Sequence, residues 1–212
     1  HLFNISVPEP NHLLFREKFE QSFSELMPMF FNLEHEIHNP LYDKAFHQSN
    51  IIRPHHFLTI KTWLGLQYAY SKFRLLYRAT HDGMNAAAFH KLCDNQGPTV
   101  TIIKSNHGKI FGGFLDESWN ENGFIASTKA FLFSITNKEK YKLLENKAHT
   151  QHAAYGDPIR GPTFGGGNDI CIQPDFAKST SYKFSYNFPS PEALCGGPKF
   201  KPLEIEVYAL YQ

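Results

Sequence analysis

The chain has 212 residues and a mass of 24.4 kDa, enough for one domain with a sizeable core. Aromatic residues make up 15% of it, and Lys plus Arg exceed Asp plus Glu by only one, which excludes a disordered chain and argues against nucleic acid as a partner. Three cysteines far apart, Cys93, Cys171 and Cys195, favour buried reduced thiols in the cytosol, and no apolar run reaches the roughly 20 residues that span a bilayer.

Residues 1–50 are predicted to form a helical extension and a connection to the main domain, which occupies residues 51–212. An apolar stripe at spacings of three and four predicts an amphipathic helix between residues 15 and 38, ended or kinked at Pro28. The stripe consists of Phe15, Phe19, Phe23 and Leu26. Such a helix could dock in a groove of a partner or could simply cover the main domain.

A second helix is predicted to begin at Pro54 and to continue to Tyr68, because Phe57, Ile60 and Leu64 recur with helical spacing. Trp63 and Leu66 would widen its apolar face. A strand is then predicted over residues 73–80, up to the breaker HDG at 81–83, and Asn85 is expected to cap a short helix over residues 86–95.

The run TVTIIK, SNHG, KIFGGF at residues 99–114 predicts a β-hairpin. Further strands are predicted at residues 130–136, 169–173, 181–187 and 203–211. Many strands, few helices and no alternation of strand and helix indicate an α+β, mainly β fold. We therefore expect a two-sheet antiparallel β-sandwich flanked by helices.

The glycine run in GPTFGGGNDICIQ, residues 161–173, has the composition of a phosphate-binding loop but not its context. A dinucleotide loop precedes a helix, whereas these glycines precede a predicted strand, and the Lys-Ser/Thr pair of an ATPase loop is absent after Gly167. Tight backbone geometry is the favoured interpretation. A loop that presents its backbone to a protein partner remains the alternative.

Five stretches occur in an order that resembles the TLDc domain family. They are LLYRATHDG (75–83), FHKLCDNQGPTVTIIKSNHGKIFGGF (89–114), TKAFLFSI (128–135), GPTFGGGNDICI (161–172) and LEIEVYAL (203–210). The resemblance extends from about Ile51 to the C-terminus. It implies a β-sandwich wrapped by helices, in eukaryotic proteins linked to oxidation resistance and, in several members, to binding and regulating the vacuolar proton-pumping ATPase.

The same resemblance implies structural roles for particular residues and no established catalytic mechanism. The Asp82-Gly83 turn, the Gly165–Gly167 loop and Glu206 match recurring features of the family. They are therefore expected to be structural motifs, and we expect no catalytic residue and no enzyme activity.

Two pairs of side chains have the residue types that catalysis uses. Glu204 and Glu206 lie two apart on a predicted strand and could act as the acid and base of a hydrolase, although the solvent-facing side of the strand is the simpler interpretation. His90 and Cys93 could meet across one helical turn, yet apolar neighbours favour a buried, inert thiol.

Histidines with helical spacing, such as His149 and His152, provide no complete ligand set. The sequence therefore predicts no metal site and no cofactor.

The function predicted is that of a non-enzymatic interaction domain that presents two loops to a large protein assembly. The contact residues expected are Asn106, His107 and Gly108 in the 105–108 turn, and Gly165, Gly166 and Gly167 in the 156–167 loop. The vacuolar ATPase is the favoured partner by resemblance, and a cytoskeletal or ciliary assembly is the alternative. The expected location is the cytoplasm, free or peripherally attached to a membrane-bound or cytoskeletal complex, without membrane insertion.

Overall fold

The computed structural model describes residues 48 to 211. The helix predicted between residues 15 and 38 lies outside the described residues, as does all of the 1–50 extension except residues 48–50. Its predicted docking on a partner lies outside them too.

Within the described residues, twelve strands form two six-stranded antiparallel sheets. The first sheet has the order β1-β12-β2-β3-β5-β6 and the second β11-β10-β9-β8-β7-β4. The predicted two-sheet antiparallel sandwich is thus confirmed. The strands are β1 Lys72–Arg78, β2 Thr99–Ser105, β3 Ile110–Leu115, β4 Gly123–Ile125, β5 Phe131–Ser134, β6 Glu139–Lys142, β7 Ala154–Gly156, β8 Thr163–Phe164, β9 Ile170–Cys171, β10 Ser179–Thr180, β11 Lys199–Phe200 and β12 Pro202–Tyr211.

The helices of the described region are few and mostly short. Asn85 caps the helix Ala86–Cys93 as predicted, since its side-chain oxygen accepts a hydrogen bond from the Ala88 N–H at 2.9 Å. The helices are α1 Pro54–Leu64, a 3₁₀ turn at Leu66–Tyr68, α2 Ala79–Asp82, α3 Ala86–Cys93, α4 Lys147–Thr150 and α5 Pro191–Leu194.

The centre of the first sheet is buried on both faces, and six of the seven residues of β2, TVTIIKS, are buried. On one face Ile103 belongs to the core shared with the second sheet. On the other face Val100 and Ile102 pack in a separate core with Phe57 and Ile60 of α1. A strand covered on both sides shows no alternation of buried and exposed residues, and in β2 only Lys104 is exposed.

The prediction that α1 continues to Tyr68 was wrong. The helix ends at Leu64 because Gly65 has φ +81°, a left-handed conformation that breaks the helical hydrogen-bond pattern. Leu66 follows in the 3₁₀ turn and is 77% exposed, so it does not widen the apolar face.

The strand predicted at residues 181–187 was also wrong. Among these residues only Tyr186 makes a bridge, an isolated one to Leu143. The N–H groups of Phe184, Ser185 and Tyr186 all donate to the buried carboxylate of Asp169 instead of to a neighbouring strand. In this segment the Asp169 side chain therefore accepts the backbone hydrogen bonds that a neighbouring strand would accept in a sheet.

Candidate functional site

The turn between β2 and β3 presents Asn106, His107 and Gly108 at the surface, all exposed. Gly108 has φ +73°, which closes the turn. The Asn106 side-chain oxygen accepts the Lys201 N–H at 2.7 Å, and the Asn106 N–H donates to the Lys201 carbonyl at 2.8 Å. The turn is therefore fixed to the chain that links β11 and β12.

An open cleft of about 320 Å³ lies beside this turn. We call it the basic groove, and it is lined by Asn106, His107, Ala177, Lys178, Lys199, Phe200 and Lys201. The three lysines are exposed, whereas Phe200 is 3% exposed and packs edge-on against Phe111. No carboxylate lines the groove. It therefore combines positive charge with a rigid apolar floor.

The turn is recognisable from its local sequence, whereas the grouping of the three lysines is not. Lys178 is 21 residues before Lys199, and the antiparallel pairing of β10 with β11 brings the two together. The only local signal was the pair of lysines on either side of Phe200.

The three glycines form the turn of the β8–β9 hairpin and precede a strand, not a helix. Gly165 is buried and has φ +81°, and a Cβ added there would lie 1.9 Å from Oδ2 of Asp169. Asp169 is fully buried and accepts backbone N–H groups from Phe184, Ser185 and Tyr186 at 2.8 to 2.9 Å. The glycines thus make room for a buried carboxylate that holds the 184–186 segment.

Exposed aromatic rings surround this hairpin turn. Phe184 is 56% exposed and Phe124 is 52% exposed. The His149 ring lies 5.1 Å from that of Phe184, and the His152 ring lies 4.1 Å from that of Phe124. We call these four side chains the aromatic patch. Gly166 lies against His152 and Gly167 against Phe184, so the half-buried glycines form the floor of the patch.

Glu206 is not on a solvent-facing side of β12, because it is fully buried. Its carboxylate accepts four hydrogen bonds, which tie β12 to β1 and to the chain before α1. The donors are Ser49 Oγ at 2.6 Å, Asn50 N at 2.8 Å, Tyr208 Oη at 2.9 Å and Arg78 Nε at 3.0 Å. A carboxylate with this many donors is a structural link between elements.

Glu204 is likewise buried, at 6% exposure. Its carboxylate accepts the Thr80 N–H at 3.0 Å and the Thr80 hydroxyl, at the start of α2. Glu204 and Glu206 line neither the basic groove nor the second cleft, of about 240 Å³, beside Trp63. The arrangement of a hydrolase, with two carboxylates flanking a bound substrate, is therefore absent from both clefts.

The Asp82-Gly83 motif closes the turn after α2. The Asp82 carboxylate accepts the Arg78 N–H at 2.8 Å, and the Tyr77 hydroxyl donates to the Gly83 carbonyl at 2.8 Å. Gly83 has φ +114°, which a side chain would strain.

His90 and Cys93 do not form a nucleophile and base. The His90 Nδ1 contacts the Asp94 carboxylate at 2.9 Å, and its Nε2 faces the carbonyls of Asp157 and Arg160. Cys93 is fully buried, and burial raises the pKa of its thiol. Burial also raises the pKa of Cys171 and Cys195. Thiolate chemistry at neutral pH is disfavoured at all three positions.

A search of residues 48 to 211 finds no helix that combines the length and the apolar character needed to cross a bilayer.

Comparison with known proteins identifies relatives of the folded region. A family model described as the TLDc domain matches residues 45–211. MTOR-associated protein MEAK7 of Danio rerio is 34% identical over 64 residues, which cover 30% of this chain and 14% of that protein. TBC1 domain family member 24 of Xenopus tropicalis is 25% identical over 114 residues, or 50% of this chain and 20% of that protein.

A longer match joins the chain to GTPase-activating protein skywalker of Drosophila melanogaster. It is 24% identical over 170 residues, which cover 71% of this chain and 28% of that protein. The chain thus spans less than a third of the length of each of these three relatives.

Proposed function

We propose that this chain, which belongs to the TLDc domain family, is a non-enzymatic interaction domain that binds a large protein assembly through the basic groove. The favoured assembly is the vacuolar proton-pumping ATPase, as the family resemblance implies. Regulation of that pump would be the route by which the domain contributes to oxidative-stress resistance.

The observation that carries the proposal is the basic groove itself. Lys178, Lys199 and Lys201 line one cleft with His107, and Phe200 provides a buried aromatic floor. Such a surface suits a partner segment that carries carboxylates and at least one apolar side chain, since charge complementarity guides the encounter and apolar burial retains it. The groove also contains Asn106 and His107 of the predicted 105–108 turn.

The aromatic patch supports a second contact on the same partner. Exposed aromatic side chains are enriched where proteins bind one another. Phe184 lies against Gly167, and His152, whose ring packs on Phe124, lies against Gly166; both glycines are predicted to contact a partner.

A regulatory role in oxidative-stress resistance agrees with the burial of the thiols. Cys93, Cys171 and Cys195 are all fully buried, and a peroxide-reactive cysteine needs access and a lowered pKa. The name of one relative, MTOR-associated protein MEAK7, offers an mTOR-containing assembly as a second partner to be tested in the same way.

The proposal is tested by a pull-down of purified vacuolar ATPase on the immobilised 212-residue chain. The variant replaces Lys178, Lys199 and Lys201 by Glu. We expect the chain to retain the ATPase at about 0.1 M salt, with much weaker retention at 1 M because exposed charges are then screened. The groove variant should lose most of the bound ATPase at the lower salt concentration.

A matched control replaces three exposed lysines outside the groove and the aromatic patch, Lys72, Lys91 and Lys129, by Glu, with the same change of net charge. This control should bind like the original chain. Failure of the original chain to bind would overturn the pump assignment, and equal binding by the groove variant would overturn the role of the groove. Replacing Gly165 to Gly167 by Ala is a poorer test, because these changes would disturb the packing around Asp169, His152 and Phe184.

A further inference from the structure

A histidine and two carboxylates converge at the end of α3, away from the basic groove. The ligand atoms of His90, Asp94 and Glu121 all lie within 4.8 Å of one another. His90 is 5% exposed, Asp94 is half-buried and Glu121 is exposed. The cluster therefore has a buried base and one open side.

The backbone brings these residues together. His90 and Asp94 are one helical turn apart, and the Asp94 N–H donates to the His90 carbonyl at 3.1 Å. Asp94 also forms a β-bridge with Trp119, and the Asn95 N–H donates to the Trp119 carbonyl at 3.0 Å. Glu121, two residues after Trp119, is thereby held beside the end of α3.

Two groups outside the cluster fix the orientation of the His90 ring. Its Nε2 lies 2.8 Å from the Asp157 carbonyl oxygen and 3.0 Å from that of Arg160. Because carbonyl oxygens only accept hydrogen bonds, Nε2 must carry a hydrogen. This is the outer-shell arrangement typical of a metal-binding histidine, in which one ring N–H donates to a backbone carbonyl and the other nitrogen faces the ion.

The other ring nitrogen, Nδ1, faces both oxygens of the Asp94 carboxylate, at 2.9 and 3.0 Å. The ring nitrogen and the carboxylate oxygens therefore lie close enough either to share a proton or to bind one cation between them. The Arg160 guanidinium forms an ion pair with a different carboxylate, that of Asp157, with Nε 3.3 Å from Oδ2.

We propose that His90 Nδ1, Asp94 and Glu121 bind a divalent transition ion of the zinc type. One imidazole and two carboxylates match the donors that zinc accepts, whereas calcium and magnesium prefer oxygen alone. Two ligands about 2.1 Å from a tetrahedral ion are about 3.4 Å apart. His90 Nδ1 and Asp94 are closer than that, at 2.9 Å, and all three ligand atoms lie within 4.8 Å of one another, so binding of the ion would move the Asp94 carboxylate back by about 0.5 Å. The ion would fasten the end of α3 to the segment that carries Glu121.

The test is calorimetric titration of zinc chloride into the 212-residue chain after removal of metals with a chelator. The variants are Asp94→Asn and Glu121→Gln, since replacement of the buried His90 could prevent folding. Each should weaken zinc binding roughly tenfold or more, the size of effect seen when a metal site loses even an outer-shell group. Cobalt(II) in place of zinc should give a visible absorption spectrum that both variants lose.

The control is Glu117→Gln, which removes an exposed carboxylate from the same connection. It should bind zinc like the original chain. The proposal is overturned if the original chain does not bind zinc, because a proton then holds the His90–Asp94 pair. Zinc binding of unchanged affinity in both variants also overturns it, because other histidines of the chain are then responsible.

Discussion

Gly165 and Asp169 act as one unit in the β8–β9 hairpin. Burial raises the pKa of the Asp169 carboxyl, while the N–H groups of Phe184, Ser185 and Tyr186 act in the opposite direction. These three donors take the place of water around the buried group. The Asp169 carboxylate can lie beside these donors only because residue 165 has no side chain in its way. The residue-scale role of the glycine is therefore to make space for a carboxylate.

This role predicts unequal effects for two glycine substitutions at positive φ. Gly97 has φ +74° and nothing within 4 Å of an added Cβ, so Gly97→Ala should cost about 1–2 kcal/mol from backbone strain alone. Gly165→Ala adds a contact of 1.9 Å with Asp169 Oδ2 and should cost roughly 3 kcal/mol or more, because the hydrogen bonds of a buried charge are disturbed. Urea unfolding of both variants measures the difference. Equal losses would show that Asp169 moves aside freely.

At the scale of elements, the predictable strands are the long ones of the first sheet. The patterns at residues 99–114 and 203–211 predicted β2, β3 and β12 nearly to the residue. The second sheet is built largely of strands of two or three residues, such as β8 and β10, which are too short to show a period of two. Their pairing depends on tertiary contacts. The segment 181–187 has a strand-like sequence, yet it wraps around Asp169.

The candidate sites also differ in whether a local sequence pattern predicts them. The 105–108 turn has local turn residues and could be predicted from the sequence. The basic groove and the His90 cluster join residues far apart in the chain, so no local pattern reveals them. Glu206 was marked by the family resemblance, but its burial could not be predicted, because alternation along β12 implied a solvent-facing side.

Glu206 links three segments, and this predicts a large effect of Glu206→Gln. The change keeps the shape of the side chain but replaces an acceptor by an amide N–H₂ that faces donors, and it leaves the charge of Arg78 without its partner at 3.0 Å. We expect a loss of about 3–5 kcal/mol in the free energy of unfolding. Denaturant unfolding measures it, with Glu145→Gln, an exposed carboxylate, as the neutral control. A variant as stable as the original chain would contradict the structural role.

At the scale of the whole molecule, the two candidate contact surfaces lie at opposite edges of the second sheet, and the 105–108 turn of the first sheet completes the basic groove. The basic groove uses Lys199 and Phe200 of β11 at one edge, and the aromatic patch includes Phe124 of β4 at the other. The first sheet is occupied on its outer face by α1 and its apolar residues. The two edges of the second sheet, together with the 105–108 turn of the first, are therefore the parts of the fold that present the candidate contact residues.

The burial of the three thiols makes the free energy of unfolding depend on pH. Burial raises the pKa of Cys93, Cys171 and Cys195, so the folded chain keeps three protons that the unfolded chain releases above about pH 8.5. Because the unfolded state then binds fewer protons, the free energy of unfolding must fall as pH rises. The full slope is about 1.4 kcal/mol per pH unit for each thiol. Urea unfolding between about pH 7.5 and 9, where tyrosine of ordinary pKa near 10 is still largely protonated, measures it. A variant with all three cysteines replaced by Ala should show a much flatter dependence, and an equally steep one would assign the effect to other groups.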